Sequence, residues 1–128
     1  MAVIDSNTAK RIVDKILSAN DEILAVSIIG ERGNILAAKS KDSFKEAFGV
    51  TRDGDKYGGT LAISALAVAN EVKDIAGEAK ALITIYEKCK MMLLPVPSYQ
   101  ILVGLVLEYS VNAEDHSIVD NIERLLLE

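Results

Sequence analysis

The sequence predicts an α+β fold in which a single five-stranded, mainly antiparallel sheet carries helices on both faces, in the order α-β-β-α-β-β-β-α. Segments with helical spacing of apolar residues alternate with short segments rich in β-branched residues. Two predicted strands, 23–29 and 101–109, are apolar on both faces, so helices must cover both sides of the sheet. Turn residues at 30–34 join two neighbouring strands as an antiparallel hairpin.

The first predicted helix covers residues 8–19, and its apolar residues fall on one face: Ile12, Val13, Ile16 and Leu17. Asp5, Ser6 or Asn7 is expected to cap its start. Asn20 stands where a helix often ends on a left-handed residue, and we expect that conformation there.

The hairpin that follows consists of strands 23–29 and 35–39. A helical turn is expected over Asp42 to Phe48, with Phe44, Ala47 and Phe48 on one side. Residues 51–59 are polar and rich in glycine, which predicts a surface loop that leads into the next helix.

The central helix, predicted over 60–76, is the most informative segment. Over its first three turns only Ser64 and Asn70 interrupt a run of alanine, leucine, isoleucine and valine. A helix that is apolar all round must be covered all round. The sheet covers one side, and the alanines allow another helix to approach closely. We therefore expect the chain to associate with itself.

Three strands follow, over 81–87, 91–96 and 101–109, with tight turns at 88–90 and 98–100. Pro95 and Pro97 cannot donate ladder hydrogen bonds, so the middle strand should end or pair irregularly near them. The third strand, apolar on both faces, should be central in the sheet. The last helix is predicted over 113–127 with Asn112 as its N-cap, and its buried residues should be Ile118, Val119, Ile122, Leu125 and Leu126.

This order of elements resembles the roadblock/dynein-light-chain family, whose profilin-like relatives include the longin-type domains. The resemblance is carried by the hairpin from Ile23 to Ala38, with its Arg32-Gly33-Asn34-Ile35-Leu36-Ala37 piece, the alanine-rich central helix and the meander from Ala81 to Tyr109. Within the meander, Met92-Leu93-Leu94-Pro95-Val96 and Ile101-Leu102-Val103-Gly104 resemble the family's fourth and fifth strands. It covers about residues 9–127, and the link from Ser40 to Gly58 is longer than is usual in the family.

The resemblance implies a homodimer that pairs the third strands edge to edge and packs the two central helices together. It also implies a non-enzymatic scaffold or adaptor, or a regulator of a small Ras-like GTPase. Ala65, Ala69, Ile83 and Ile85 are the expected buried dimer positions. The two-sided central helix predicts self-association independently of the resemblance.

The amino-acid composition narrows the classes of protein to which this chain could belong. The 128 residues are 50% apolar and 26% charged, which suits one globular domain over 1–128. A net charge of −5 opposes nucleic-acid binding, which depends on basic side chains. No stretch approaches the length of a membrane span. One cysteine and no secretory signal lead us to expect a cytoplasmic protein.

The sequence contains few residues suited to catalysis or to metal binding, and we expect no catalytic residue, cofactor or metal. His116 lies beside Glu114 and Asp115 in a helix start, where a solvated role is expected. Gly58-Gly59 is expected to serve as a flexible helix entry, and Asp53 and Asp55 as solubilising loop residues. Cys89 is expected to be an exposed turn cysteine; a lowered thiol pKa between Lys88 and Lys90, or Cu(I) binding with Met91 and Met92, is the less favoured interpretation.

A second hypothesis is a small-molecule sensor of PAS or profilin-like type. In that case the 44–57 segment, with Phe44, Phe48 and Tyr57, would cover an apolar pocket against the sheet.

Overall fold

The structure, a computed structural model, describes residues 4–48, 58–112 and 117–127. One five-stranded sheet has the order β2-β1-β5-β4-β3, and every neighbouring pair is antiparallel. The predicted fold class and element order are confirmed. The elements are α1 Ser6–Ala19, β1 Ile23–Gly30, β2 Ile35–Ser40, α2 Asp42–Phe48, α3 Gly58–Asn70, α4 Lys73–Ala76, β3 Leu82–Ile85, β4 Cys89–Val96, a 3₁₀ turn Pro97–Tyr99, β5 Ile101–Glu108 and α5 Ser117–Leu127.

Helix α1 begins after Asp5, whose carboxylate accepts a hydrogen bond from the backbone N–H of Thr8 at 2.7 Å. Hydrogen bonds that the carboxylate accepts from Thr8, first of all this backbone one, hold the pKa of Asp5 below its ordinary value. The expectation of a left-handed Asn20 is wrong, because its backbone is extended. The Asn20 side-chain amide instead donates to the carbonyl of Ile16 at 3.0 Å, which satisfies one of the free carbonyls of the helix end.

Strand β5 is the central strand, as predicted, with β1 and β4 on its two sides. Its alternate residues face α1 and α5, which cover one side of the sheet with the main core. That core contains Val13, Ile16, Val26, Ile28, Met92, Val103, Leu105 and Ile122 among its buried residues.

Helix α3 lies on the opposite side of the sheet. There Ile63 and Leu66 pack on a smaller cluster formed by Ile29, Leu93 and Leu102. Helices therefore cover both faces, which explains why β1 and β5 are apolar on both faces.

The prediction of one continuous helix over 60–76 is wrong. The backbone N–H of Glu71 bonds to Val68, only three residues back, and Val72 leaves helical geometry. A new short helix, α4, runs from Lys73 and ends at Gly77, whose φ is +83°. Asparagine and β-branched valine are weak helix formers, which is consistent with a break between α3 and α4.

The turn predicted at 88–90 is also misplaced, because Cys89 and Lys90 belong to β4. The backbone N–H of Tyr86 donates to the carbonyl of Cys89 at 2.9 Å and closes a two-residue hairpin through Glu87 and Lys88. Two-residue loops are the commonest connections in hairpins. The strand β3 that precedes the turn is shorter than the predicted 81–87.

Strand β4 ends at Val96, between the two prolines, as predicted, and Pro95 does not disturb its pairing with β5. The register with β5 runs without a shift to Val96, which pairs with Ile101. Pairing between β3 and β4 reaches only to Leu93, so beyond that point β4 has a neighbour on one side. A proline is tolerated in a strand where its missing N–H leaves no partner unsatisfied.

Candidate interaction surface

Strand β3 lies at one edge of the sheet and is apolar on both faces. The residues of β3 alternate between the two faces of the sheet. Leu82 and Thr84 lie opposite Leu93 and Met91 and face α3. Ile83 lies opposite Met92, which is part of the core under α1 and α5, so Ile83 and Ile85 face that other side. Neither side covers them well, since Ile85 is 59% exposed.

The outer edge of β3 also presents backbone groups. In an antiparallel pair, hydrogen-bonded and non-hydrogen-bonded positions alternate. The Tyr86–Cys89 hydrogen bond makes Tyr86, Thr84 and Leu82 the positions bonded to β4. The N–H and C=O groups of Ile83 and Ile85 therefore point away from β4, toward the free edge.

A stripe of exposed apolar side chains runs along α3 and into α4. Val68 is 72% exposed and Ile75 is 91% exposed, with the exposed Val72 between them. Val68 belongs to α3 and Ile75 to α4, and Val72 lies at the break between the two helices. Several large apolar side chains exposed together are typical of a surface that another molecule covers.

An apolar groove of about 420 Å³ separates α3 from the sheet. Small residues form its floor, Ala25 and Ser27 from β1 and Gly104 from β5. Its walls include Ala65 and Val68 of α3 on one side and Leu82, Thr84 and Tyr86 on the other. We call this cleft the α3 groove. Val68 belongs both to the stripe and to one wall of the groove, and Leu82 and Thr84 of β3 belong to the other wall. The groove, the stripe and the α3 side of the β3 edge therefore form one continuous surface.

Only part of the set of four predicted dimer residues lies on this surface. Ala65 lines the α3 groove, and Ala69 is half-buried on the same helix. Ile83 and Ile85 lie on the opposite side of the sheet from α3. The four residues therefore do not form one patch, although all belong to α3 or to the β3 edge.

The sequence does not single out three residues that line the groove: Thr84 on β3, Tyr86 just after β3, and Val68 on α3. The two-residue period of β3 places Thr84 on the opposite face of the sheet from Ile83 and Ile85. The period alone does not show which of the two faces is toward α3, because this depends on the register of β3 with β4.

The predicted lid of the sensor hypothesis does not cover the groove in the part that the structure describes. The Phe44 side chain is half-buried and is not among the lining residues. The position of Tyr57 is outside the described residues, as is the side chain of Phe48.

Cys89 is buried, so the expectation of an exposed turn cysteine is wrong. Desolvation raises the pKa of its thiol, opposite to the lowered pKa considered for a reactive cysteine. Met91 lines the α3 groove, and Met92 is part of the core on the other face. Among the described residues, no group of histidine, cysteine and carboxylate side chains could hold a metal ion.

Several other predicted positions cannot be placed. His116, Asp53, Asp55, Glu114 and Asp115 lie outside the described residues. Gly58 and Gly59 begin α3 and belong to the helix itself. None of the described helices combines the length and the apolar character needed to cross a membrane.

No protein-family model matches the sequence, and a search of curated proteins found no match. Solved structures are similar. The structure of Myxococcus xanthus MglB has a TM-score of 0.68 at 9% identity, covering 98% of this chain and 90% of that one. The gliding protein MglB from Thermus thermophilus has a TM-score of 0.64 at 13% identity, over 98% of this chain and 92% of that one.

A Roadblock/LC7 domain from Streptomyces avermitilis has a TM-score of 0.60 at 7% identity, and the match covers 93% of this chain and 98% of that domain. These similarities extend over nearly the whole of each chain. The chain has the roadblock/LC7, profilin-like fold.

Proposed function

We propose that this protein is a non-enzymatic interaction module of roadblock type, a single domain that forms a homodimer and acts as a scaffold or as a regulator of a small Ras-like GTPase. The observation that carries the proposal is the continuous apolar surface formed by the α3 groove, the stripe on α3 and the β3 edge. The cytoplasm is the proposed compartment.

A comparison of the two sheet edges supports self-association. Strand β2, at the other edge, carries Lys39, which forms an ion pair with Asp14 of α1 at 3.1 Å. Charged residues of this kind protect a free edge against pairing with other strands. The four residues of β3, Leu-Ile-Thr-Ile, contain no charge and no proline. An unprotected edge strand is expected where another strand pairs with it.

A second copy of the chain suits this surface because the copy brings the same unpaired edge and the same apolar helix stripe. In a two-fold dimer each copy presents the same surface to the other, so both exposed features are buried together. The resemblance to roadblock proteins, and the fold shared with MglB, support this assembly and support a small GTPase as the partner that the dimer binds. The net charge of −5 favours a protein partner over nucleic acid.

The molar mass in solution tests the homodimer. Light scattering after size exclusion, over a wide range of concentrations, should give twice the 13.8 kDa of one chain. A mass of one chain at every concentration would contradict the homodimer. Binding to a panel of purified Ras-like GTPases, each loaded with GDP or with a GTP analogue, tests the partner. Binding that depends on the nucleotide is the expected result, and no binding to any of them would leave a scaffold role only.

The volume of the α3 groove favours one second candidate, a sensor for apolar small molecules. Ligand sites commonly have volumes of about 300–1,000 Å³ with mainly apolar walls and a few polar groups. Here Ser27, Ser64 and Thr84 provide hydroxyl groups in the groove. This candidate differs from the one expected from sequence, because the groove lies under α3.

A thermal-shift series with aliphatic carboxylates of increasing chain length tests the sensor. A ligand that binds the native state raises the melting temperature in proportion to the logarithm of its concentration. The matched variant is Gly104→Ala, which adds a methyl group to the floor at an ordinary distance of 3.5 Å from Ile29. A sensor would lose stabilisation by the longer chains in this variant. No shift with any chain length would contradict the sensor.

A further inference from the structure

The exposed edge of β3 contains enough information to determine how two copies would pair, provided that the proposed homodimer forms. Two antiparallel strands related by a two-fold axis place one residue opposite itself. Residues directly opposite each other lie on the same face of the sheet. Around the centre of β3 the axis therefore passes through Ile83, Thr84 or Ile85, which gives three registers.

The outward backbone groups of Ile83 and Ile85 are compatible with all three registers. Each register places an odd-numbered residue opposite an odd-numbered residue of the partner. In these pairs the outward N–H and C=O groups of Ile83 and Ile85 find partners. The side chains must therefore decide between the registers.

The register centred on Ile83 places Tyr86 opposite the partner's Lys80 and Ile85 opposite the partner's Ala81. The register centred on Ile85 places Ile83 opposite the partner's Glu87. In both, a large apolar side chain that is exposed in the single chain would face a charged or much smaller residue. Each of these registers places one isoleucine opposite its own copy, but it leaves the other isoleucine without a large apolar partner. Only part of the edge then gains the contacts that stabilise strand pairs.

The register centred on Thr84 pairs every large apolar side chain of the edge with another. Ile83 faces the partner's Ile85, and Ile85 faces the partner's Ile83. Four isoleucines then form one cluster on the face of α1 and α5, where the single chain leaves Ile85 59% exposed. On the α3 side, Leu82 faces the partner's Tyr86. Aliphatic–aromatic and Thr–Thr pairs are among the favourable cross-strand pairs.

We infer that two copies of this chain pair through β3 in the register that places Thr84 on the two-fold axis, opposite the partner's Thr84. The pair of Ile83 with the partner's Ile85 exchanges two backbone hydrogen bonds, and its symmetry mate exchanges two more. Beyond the paired residues, Lys80 comes near the partner's Lys88. Both lysines are exposed, so water and salt screen their repulsion.

This register also places the α3 groove of each copy at the dimer axis, because Thr84 lines the groove. The two grooves then meet across the paired strands.

Disulfide trapping distinguishes the three registers. In a Cys89→Ala background, which removes the only native thiol, three single variants are made: Ile83→Cys, Thr84→Cys and Ile85→Cys. Opposite residues at a non-hydrogen-bonded position have Cα atoms about 4.5 Å apart, within the range of a disulfide. Cα atoms more than about 7 Å apart cannot be bridged without movement of the backbone.

With a mild thiol oxidant such as diamide, Thr84→Cys should form a covalent dimer at least about tenfold faster than Ile83→Cys or Ile85→Cys alone, because only its two sulfurs face each other. An equimolar mixture of Ile83→Cys and Ile85→Cys, after exchange of subunits, should also cross-link. Fastest cross-linking of Ile83→Cys alone, or of Ile85→Cys alone, would overturn the register and assign the axis to that residue.

Light scattering on the same variants before oxidation separates failure of the register from failure of the homodimer. A dimer that none of the three cysteines cross-links would show that β3 does not form the interface, and it would overturn the inference while the homodimer stands. A single-chain mass for the Cys89→Ala protein and for the native chain would overturn both. Circular dichroism of each variant checks that the exposed substitutions leave the fold intact.

Discussion

Replacement of Ile85 by lysine tests the contribution of the β3 edge to association. Burial of a whole isoleucine side chain contributes about 1.5–3 kcal/mol. The 59% of Ile85 that is exposed in the single chain is then worth about 0.9–1.8 kcal/mol when the dimer buries it. Both copies lose this contribution, so Ile85→Lys should weaken the dimer by about 1.8–3.5 kcal/mol, or about 20- to 300-fold in Kd.

Sedimentation equilibrium over a range of concentrations measures this change in Kd. The matched control is Ile35→Lys, because Ile35 is a 37% exposed isoleucine on β2, at the other edge of the same sheet. Lysine is well tolerated on edge strands, so both variants should fold. The control should keep the Kd of the native chain. A Kd for Ile85→Lys within about threefold of the native value, or an equal loss in both variants, would refute the assignment of the interface to β3.

Three further results are expected for the single chain. The Cys89 thiol should react with an aromatic disulfide reagent at pH 8 at least about tenfold more slowly in the native protein than in urea, because it is buried and its pKa is raised; equal rates would contradict its burial. Asp5→Ala should lower Tm at pH 7 while Asp5→Asn, which keeps a capping oxygen, should not. Because the pKa of Asp5 is lowered in the folded chain, its carboxylate contributes fully to folding stability above the ordinary aspartate pKa. This contribution is lost as pH falls through the lowered value. Thermal melts from pH 7 to pH 2 should therefore show a smaller loss of Tm for Asp5→Asn than for the native chain. Ile122→Ala, in the core of α5, should cost about 2–5 kcal/mol of unfolding free energy in urea, with no change in the m-value.

The order and type of the long elements could be predicted from the sequence because their patterns are strong. Strand β5 is apolar at almost every position, and this feature correctly placed it at the centre of the sheet. The bounds of α2 agree with the predicted Asp42 to Phe48. In these segments the periodicity of apolar residues and the burial that results from it are the same physical fact.

The errors lie where one or two hydrogen bonds decide the geometry. The break after Asn70 depends on the backbone bond from Glu71 to Val68, and the hairpin turn depends on the bond from Tyr86 to Cys89. A backbone hydrogen bond of this kind competes with a nearly equivalent bond to the neighbouring residue along the chain. Apolar periodicity does not distinguish between them, so the sequence predicts Cys89 in a turn although it lies in β4.

The candidate surface was predictable in part, for the same reason. The apolar run of α3 indicates that the helix is covered on two sides, and the run of β3 indicates an apolar strand. Whether Ile83 or Thr84 faces α3 depends on the pairing of β3 with β4, since a shift by one residue would exchange the two faces. The choice of residues for a dimer therefore requires the register, which the sequence alone does not provide.

Two independent features of the chain favour association with a partner, and the proposed second copy would satisfy both. Apolar surface from outside the chain would bury the exposed stripe of Val68, Val72 and Ile75, and another strand would pair with the outward N–H and C=O groups of Ile83 and Ile85. A small apolar ligand in the α3 groove would satisfy neither, since it offers no strand and does not cover Ile85 on the opposite face of the sheet. A second chain offers a strand and a helix in the same relative positions. The geometry of β3 thus favours the homodimer over the sensor, even though both would use the groove.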